Sequence, residues 1–174
     1  IPNFDYAMAP GVNKSFKKAL RSNLEKYNKY SGKKVDVKIP DDITYGDNET
    51  LKKLKIPETV IETSNEDVEK QTFQAMEGFI HNLNTMHSRA GAQVPFTSIN
   101  FGTDTTPAGR LVSKNLLDAT EKGLGHGETP IFPISIFKVK EGVSYNPEDP
   151  NYDLFKRSME VSSKRLFPNF TFID

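Results

Sequence analysis

Hydrophobic positions recur at Val12, Phe16, Leu20, Leu24 and Tyr27, with lysines between them. That spacing predicts an amphipathic helix closing near Ser31 and Gly32. Ahead of it, residues 1–10 are apolar but hold two prolines, and they read as extended. Residues 33–63 lose the period and are broken by Pro40, Gly46 and Pro57. An irregular, exposed segment is expected there, with a short strand at 35–39 and a helical turn at 49–54.

The longest apolar stripe runs through Val68, Phe73, Met76, Phe79, Ile80, Leu83 and Met86. Ser64 and Asp67 ahead of it resemble a capping box, so the helix is expected to start near Asn65 and reach about His87. Gly78 inside it suggests close backbone packing. Residues 93–101 then alternate as a strand, and Thr105 or Thr106 can cap a helix whose first position is Pro107. Leu111, Val112, Leu116, Leu117 and Ala119 mark the inward face of that helix, and Gly123 its end. An apolar strand over 131–139, a helix from Asn151 or Asp153 to about Leu166, and a strand at 170–173 complete the order. Strand and helix alternating from residue 93 onward is the pattern of α/β proteins with parallel pairing.

Composition narrows the chemistry. The 174 residues include no cysteine, which excludes disulfides, thiolate zinc, iron–sulfur clusters and cysteine catalysis within this chain. No apolar run approaches the ~18 residues of a membrane helix, and a cytoplasmic protein is expected. Ile1 is not an initiator residue, so the chain reads as a piece of something longer. The 23 basic and 23 acidic residues balance. Eight basic residues nevertheless lie between Lys14 and Lys34 with only Glu25 against them. That block reads as a solvated helix face rather than a nucleic-acid arm, because neither aromatics nor glycines interleave it.

Two polar loops carry the candidate sites. The first, His87-Ser88-Arg89-Ala90-Gly91-Ala92-Gln93, gathers an imidazole, a hydroxyl, a guanidinium and an amide around small residues where a helix gives way to a strand. Arg89 could fork onto an anion and Gly91 could allow close approach, or the arrangement is a capped helix end. The second, residues 123–129, holds Gly125, His126 and Gly127, where backbone N–H groups could meet a phosphate. Its spacing fits neither the dinucleotide fingerprint nor the Walker loop. His81 and His87 lie six apart, which does not put two ligands on one helical face, so no metal site is expected. Periodicity and spacing end at an α/β domain with two polar loops.

Four runs go further. EGFIHNLNTMHSRAGAQVPFTSINFGTDT (77–105), GLGHGETPIFPISIFKVKEGV (123–143), the stretch from NPEDPNYDLFKRS to SSKRLFPNFTFID (146–174) and the opening IPNFDYAMAPGV resemble the anaerobic (class III) ribonucleoside-triphosphate reductases. The resemblance weakens only between about residues 33 and 63. It implies part of a ten-stranded α/β barrel of the glycyl-radical-enzyme type, with an N-terminal helix and an irregular insertion. Residues 1–174 would form one partial domain, with 1–63 the helix and polar segment and 64–174 barrel wall.

The same resemblance implies an enzyme reducing ribonucleoside triphosphates to 2′-deoxyribonucleoside triphosphates with a glycyl radical, a thiyl radical and formate. It also implies a structural zinc, ATP and deoxynucleotide effectors, a homodimer, and a radical-SAM iron–sulfur activase as partner. This chain lacks every cysteine and the Arg-Val-x-Gly-Tyr radical loop of that pattern. It is therefore expected to be an internal segment, starting after one catalytic cysteine, ending before the finger-loop cysteine, and inactive alone. By analogy across reductase classes, Ser88, Arg89, Gly91 and Gln93 belong to one nucleotide loop and Gly125, His126 and Gly127 to another. The rival reading is a stand-alone nucleotide-binding module without catalysis.

Overall fold

A computed structural model of the chain describes residues 1–86 and 93–174. Its elements run α1 (Phe4–Tyr30), α2 (Asn48–Lys53), α3 (Glu58–Thr85), β1 (Ser98–Phe101), α4 (Pro107–Lys122), β2 (Ile134–Lys140), α5 (Tyr152–Arg165) and β3 (Asn169–Ile173). The strands form one parallel sheet in the order β1-β2-β3. Ile99 stands opposite Ser135, and Phe137 opposite Phe170. The α/β reading and the parallel pairing are thereby realised.

One sheet face is apolar. Ile99, Phe101, Phe137 and Val139 are buried there, and Phe137 stacks on Phe155 of α5. The alternate positions, among them Ser98, Asn100, Lys138 and Thr171, point to the opposite, half-buried face. Beyond the outer edge of β1, Ile1 donates to the Ser98 carbonyl and accepts from the Asn100 N–H. Those two bonds are the pattern of a further parallel strand. α1, α3 and α4 pack on one another beside the sheet.

α4 follows its sequence signals closely. Thr106 Oγ1 accepts the Gly109 N–H, Pro107 takes the first position, and Gly123 closes the helix. Its five apolar positions from Leu111 to Ala119 are all buried.

Elsewhere tertiary contacts override local signals. Residues 4–10 are helical rather than extended, and Pro10 sits inside α1. A proline there costs about 3 kcal/mol. Burial of Phe4, Ala9 and Val12, together with the hydrogen bonds of the buried Asp5 carboxylate, offsets that cost. No strand forms over 35–39, because the Asn28 side chain accepts from the Val35 N–H and donates to its carbonyl, replacing a strand partner. The segment 33–63 is less exposed than expected, with Ile39, Ile43, Leu51 and Ile56 in the core.

α3 starts at Glu58, directly after Pro57, well before the supposed capping box. Ser64 is instead buried within the helix. Its hydroxyl donates to the Val60 carbonyl and accepts from Asn23 of α1, which also reaches Asp67. The apolar stripe is buried at Val68, Met76 and Ile80 and fades towards Met86, which is exposed. Gly78 meets no close neighbour: a Cβ built there finds nothing within 4 Å. β1 and β2 are shorter at their starts than the apolar runs suggest, and Ile131 is exposed.

Candidate functional site

Between α4 and β2 the chain makes the tight turn that its glycines predict. Gly123, Gly125 and Gly127 all take positive φ. A Cβ at Gly123 would stand 2.5 Å from the Glu128 carbonyl oxygen, so a side chain is excluded there. Leu124 and Glu128 pair across the turn as an isolated antiparallel bridge. The Leu124 carbonyl accepts from Gly127 and Glu128, and the Leu124 N–H donates to the Glu128 carbonyl. The His126 N–H donates to the Glu128 carboxylate at 3.0 Å.

Most of the turn's amides are therefore already occupied. The Gly125 and Thr129 N–H groups have no partner among the described residues. The loop is not an open cradle of several N–H groups. At Gly125 a phosphate would meet one free amide, and would gain the neighbouring His126 N–H only by displacing the Glu128 carboxylate.

Gly125 lies on the wall of a cleft of about 300 Å³ between this turn and α3. Glu77, Gly78 and His81 supply the α3 wall, and Ala119, Gly123 and Leu124 the opposite one. The volume sits at the lower bound of small-ligand sites. Glu77, on the cleft's α3 wall, pairs with Lys122 of α4 at 2.6 Å. His81 and His126 are both exposed.

Two side chains fix the turn from either end. Arg165, the last residue of α5, donates through Nε to the Glu121 carbonyl at 2.8 Å and through Nη1 to the Gly127 carbonyl at 2.6 Å. Asn84, near the end of α3, accepts from the Ile131 and Phe132 N–H groups and donates to the Phe132 carbonyl. Sequence reading missed both, since an arginine and an asparagine at helix ends give no local signal of what they touch.

The carboxyl end of α4 is strongly charged. Glu121 meets Lys164 and Arg157 of α5, and Arg157 also reaches Asp118 at 2.9 Å. The hydrogen bonds from Lys164 and then Arg157 hold the Glu121 carboxyl below its ordinary 4.5. Burial alone would lower the Arg157 guanidinium, but its bonds to Asp118 and Glu121 outweigh this and hold it up. Lying against the root of the turn, this cluster anchors it to α5.

Of the first polar loop, Ser88, Arg89 and Gly91 lie outside the described residues, as does His87. Gln93 is exposed, just ahead of β1. Among the described residues no group of three or more His, Cys, Asp or Glu is arranged to hold a metal ion. Among the described residues no helix is long and apolar enough to cross a membrane.

A family model described as anaerobic ribonucleoside-triphosphate reductase matches residues 1–174. The chain is similar to the protein of that name from Haemophilus influenzae, with 37% identity over 103 residues, 59% of this chain and 14% of that protein. The namesake from Enterobacteria phage T4 is 41% identical over 102 residues, 58% of this chain and 17% of its own length. That of Escherichia coli is 28% identical over 170 residues, 97% of this chain and 20% of its own length. The chain thus spans a fifth or less of these curated relatives.

Proposed function

Because the chain belongs to the anaerobic ribonucleoside-triphosphate reductase family, we propose that it serves a longer enzyme reducing ribonucleoside triphosphates to 2′-deoxyribonucleoside triphosphates, with formate as reductant. In this reading a glycyl radical, set by a radical-SAM activase, generates a thiyl radical in a homodimeric parent. This segment carries no cysteine, so both thiols must come from other parts of that enzyme. The described residues likewise offer no donor set that fits the family's zinc.

The segment's own contribution is barrel wall plus a nucleotide-responsive loop. Three parallel strands, helices against the apolar face, and Ile1 bonded as a further parallel strand on the β1 edge support the wall. A polar row of Ser98, Asn100, Lys138 and Thr171 suits an inward barrel face.

The observation that carries the loop assignment is the free amide of Gly125 on the wall of the α3 cleft, in a turn leading within a few residues into β2. Gly125, His126 and Gly127 sense the nucleotide, and Ser88, Arg89, Gly91 and Gln93 form the companion loop. A shift at the turn passes along the backbone into β2, and so into the barrel wall.

The test is a matrix of four ribonucleotide substrates against each deoxynucleotide effector in the full-length enzyme, with the glycyl radical counted by paramagnetic resonance. Gly127 has φ +87, so Gly127→Ala strains the turn without meeting a neighbour. It is expected to change which effector promotes which substrate by fivefold or more, at unchanged radical yield. An unchanged matrix, or loss of the radical alone, would reduce the turn to a structural element.

A further inference from the structure

The amide of Asn84 occupies the place that a neighbouring strand would take. Its Oδ1 accepts from Ile131 N–H at 2.8 Å and Phe132 N–H at 3.1 Å. Its Nδ2 donates to the Phe132 carbonyl at 2.7 Å and to the Ile80 carbonyl at 2.6 Å. The orientation of this amide is fixed by chemistry, because two backbone donors converge on one atom and only the oxygen can accept them.

These bonds act where the sheet offers nothing. β2 begins at Ile134, whose N–H donates to the carbonyl of Thr97, the residue before β1. Pro133 has no N–H. Among the described residues, the hydrogen bonds that hold the backbone of residues 131 and 132, between the glycine turn and the sheet, to α3 therefore all come from one side chain. The ring of Phe132 meets that of Phe96 edge-on, with centroids 5.4 Å apart. Two stretches distant in sequence thus converge on Phe132, the end of α3 through Asn84 and the approach to β1 through Phe96.

We infer that Asn84 is a positioning residue which fixes the exit of the glycine turn to α3 and so transmits nucleotide occupancy of the turn into β2. This rests on the reading of the turn as nucleotide-responsive. With Asn84 in place, residues 131–132 and α3 move as one body, and a displacement at Gly125–Gly127 must shift the start of β2 or the cleft wall. Without it, the exit can absorb the displacement locally.

The experiment uses the full-length enzyme and two readouts. Hydrogen exchange is followed on a peptide spanning residues 130–133, and the substrate-by-effector matrix is measured on the same preparations. Asn84→Ala is expected to speed exchange of the Ile131 and Phe132 amides at least tenfold and to reduce effector-dependent substrate discrimination at least fivefold, with the glycyl-radical yield kept. Asn84→Asp keeps an acceptor for both N–H groups and is expected to retain most of the exchange protection. Should Asn84→Ala prove insoluble, Asn84→Gln, which displaces the same amide by one methylene, carries the same expectations.

Unchanged exchange in Asn84→Ala, or in Asn84→Gln where it takes that variant's place, would overturn the inference. So would an unchanged matrix where Gly127→Ala alters it, and the turn's assignment would then survive. If neither Gly127→Ala nor Asn84→Ala alters the matrix, the reading of the turn itself falls.

Discussion

The Oδ2 oxygen of Asp5, in the first turn of α1, accepts the Gly102 N–H at 2.9 Å across 97 positions of chain. The same oxygen accepts the Asp104 N–H at 3.0 Å, and Asp5 is fully buried. One carboxylate thus joins the start of the first helix to the turn after β1. Asp5→Ala strands two buried donors, and charge-assisted bonds of this kind contribute about 1.5–3 kcal/mol each. A loss of about 3–5 kcal/mol is expected in chemical denaturation, and a loss below about 1 kcal/mol would show the bonds to be dispensable.

Gly78 and Gly109 both lie inside helices, yet alanine should act on them with opposite sign. In a helix interior, alanine is favoured over glycine by about 1 kcal/mol. At Gly78 a Cβ finds open space, so Gly78→Ala should raise stability by about 0.5–1 kcal/mol. At Gly109 the Cβ would fall 2.1 Å from Asp104 Oδ2, which cannot withdraw while Oδ1 accepts from Thr106. Gly109→Ala should lower stability by about 1–3 kcal/mol. Thermal shifts in the same direction for both variants would contradict this packing.

Met76 is buried where α3 faces α1 and α4. Met76→Asp would place a carboxylate there, and no basic side chain lines the same groove. A loss beyond about 4 kcal/mol is expected, enough to abolish cooperative unfolding. A sigmoidal melt near the wild-type midpoint would remove α3 from the core.

The pH dependence follows from Glu121. Its native carboxyl titrates below the ordinary 4.5, first because of Lys164 and then Arg157. Between that lowered value and about 4.5 the unfolded chain binds more protons than the native one, so stability rises with pH in this window. The contribution is full above about 4.5 and is lost as pH falls through the native value. Glu121→Gln should flatten the acid limb of stability against pH while leaving its shape above pH 6 unchanged. An unaltered acid limb would show that the Lys164 and Arg157 contacts carry no net stability.

Much of the helical architecture was legible because it depends on near neighbours. Thr106, Pro107 and Gly123 delimit α4 through contacts made within one turn of the helix. Strand and helix alternating after residue 93 likewise announced parallel pairing, since successive parallel strands need a crossover. The glycine turn was visible too, because positive φ is a property of single residues. Recognition of the family needed only the order of its long runs.

What the sequence could not determine was the use of its polar side chains at a distance. Ser64 and Asp67 look like a helix start, but Asn23 of α1 claims both of them. Residues 35–39 look like a strand, but Asn28 satisfies Val35 from a helix. Asn84 and Arg165 carry no local sign of the turn they hold, 48 and 38 positions away respectively. Asparagine, arginine and aspartate can bond a backbone group on any element that approaches within about 3 Å. Local pattern therefore sets where helices and turns can form, whereas tertiary packing alone decides which backbone each polar side chain reaches, and with it how the candidate site is held.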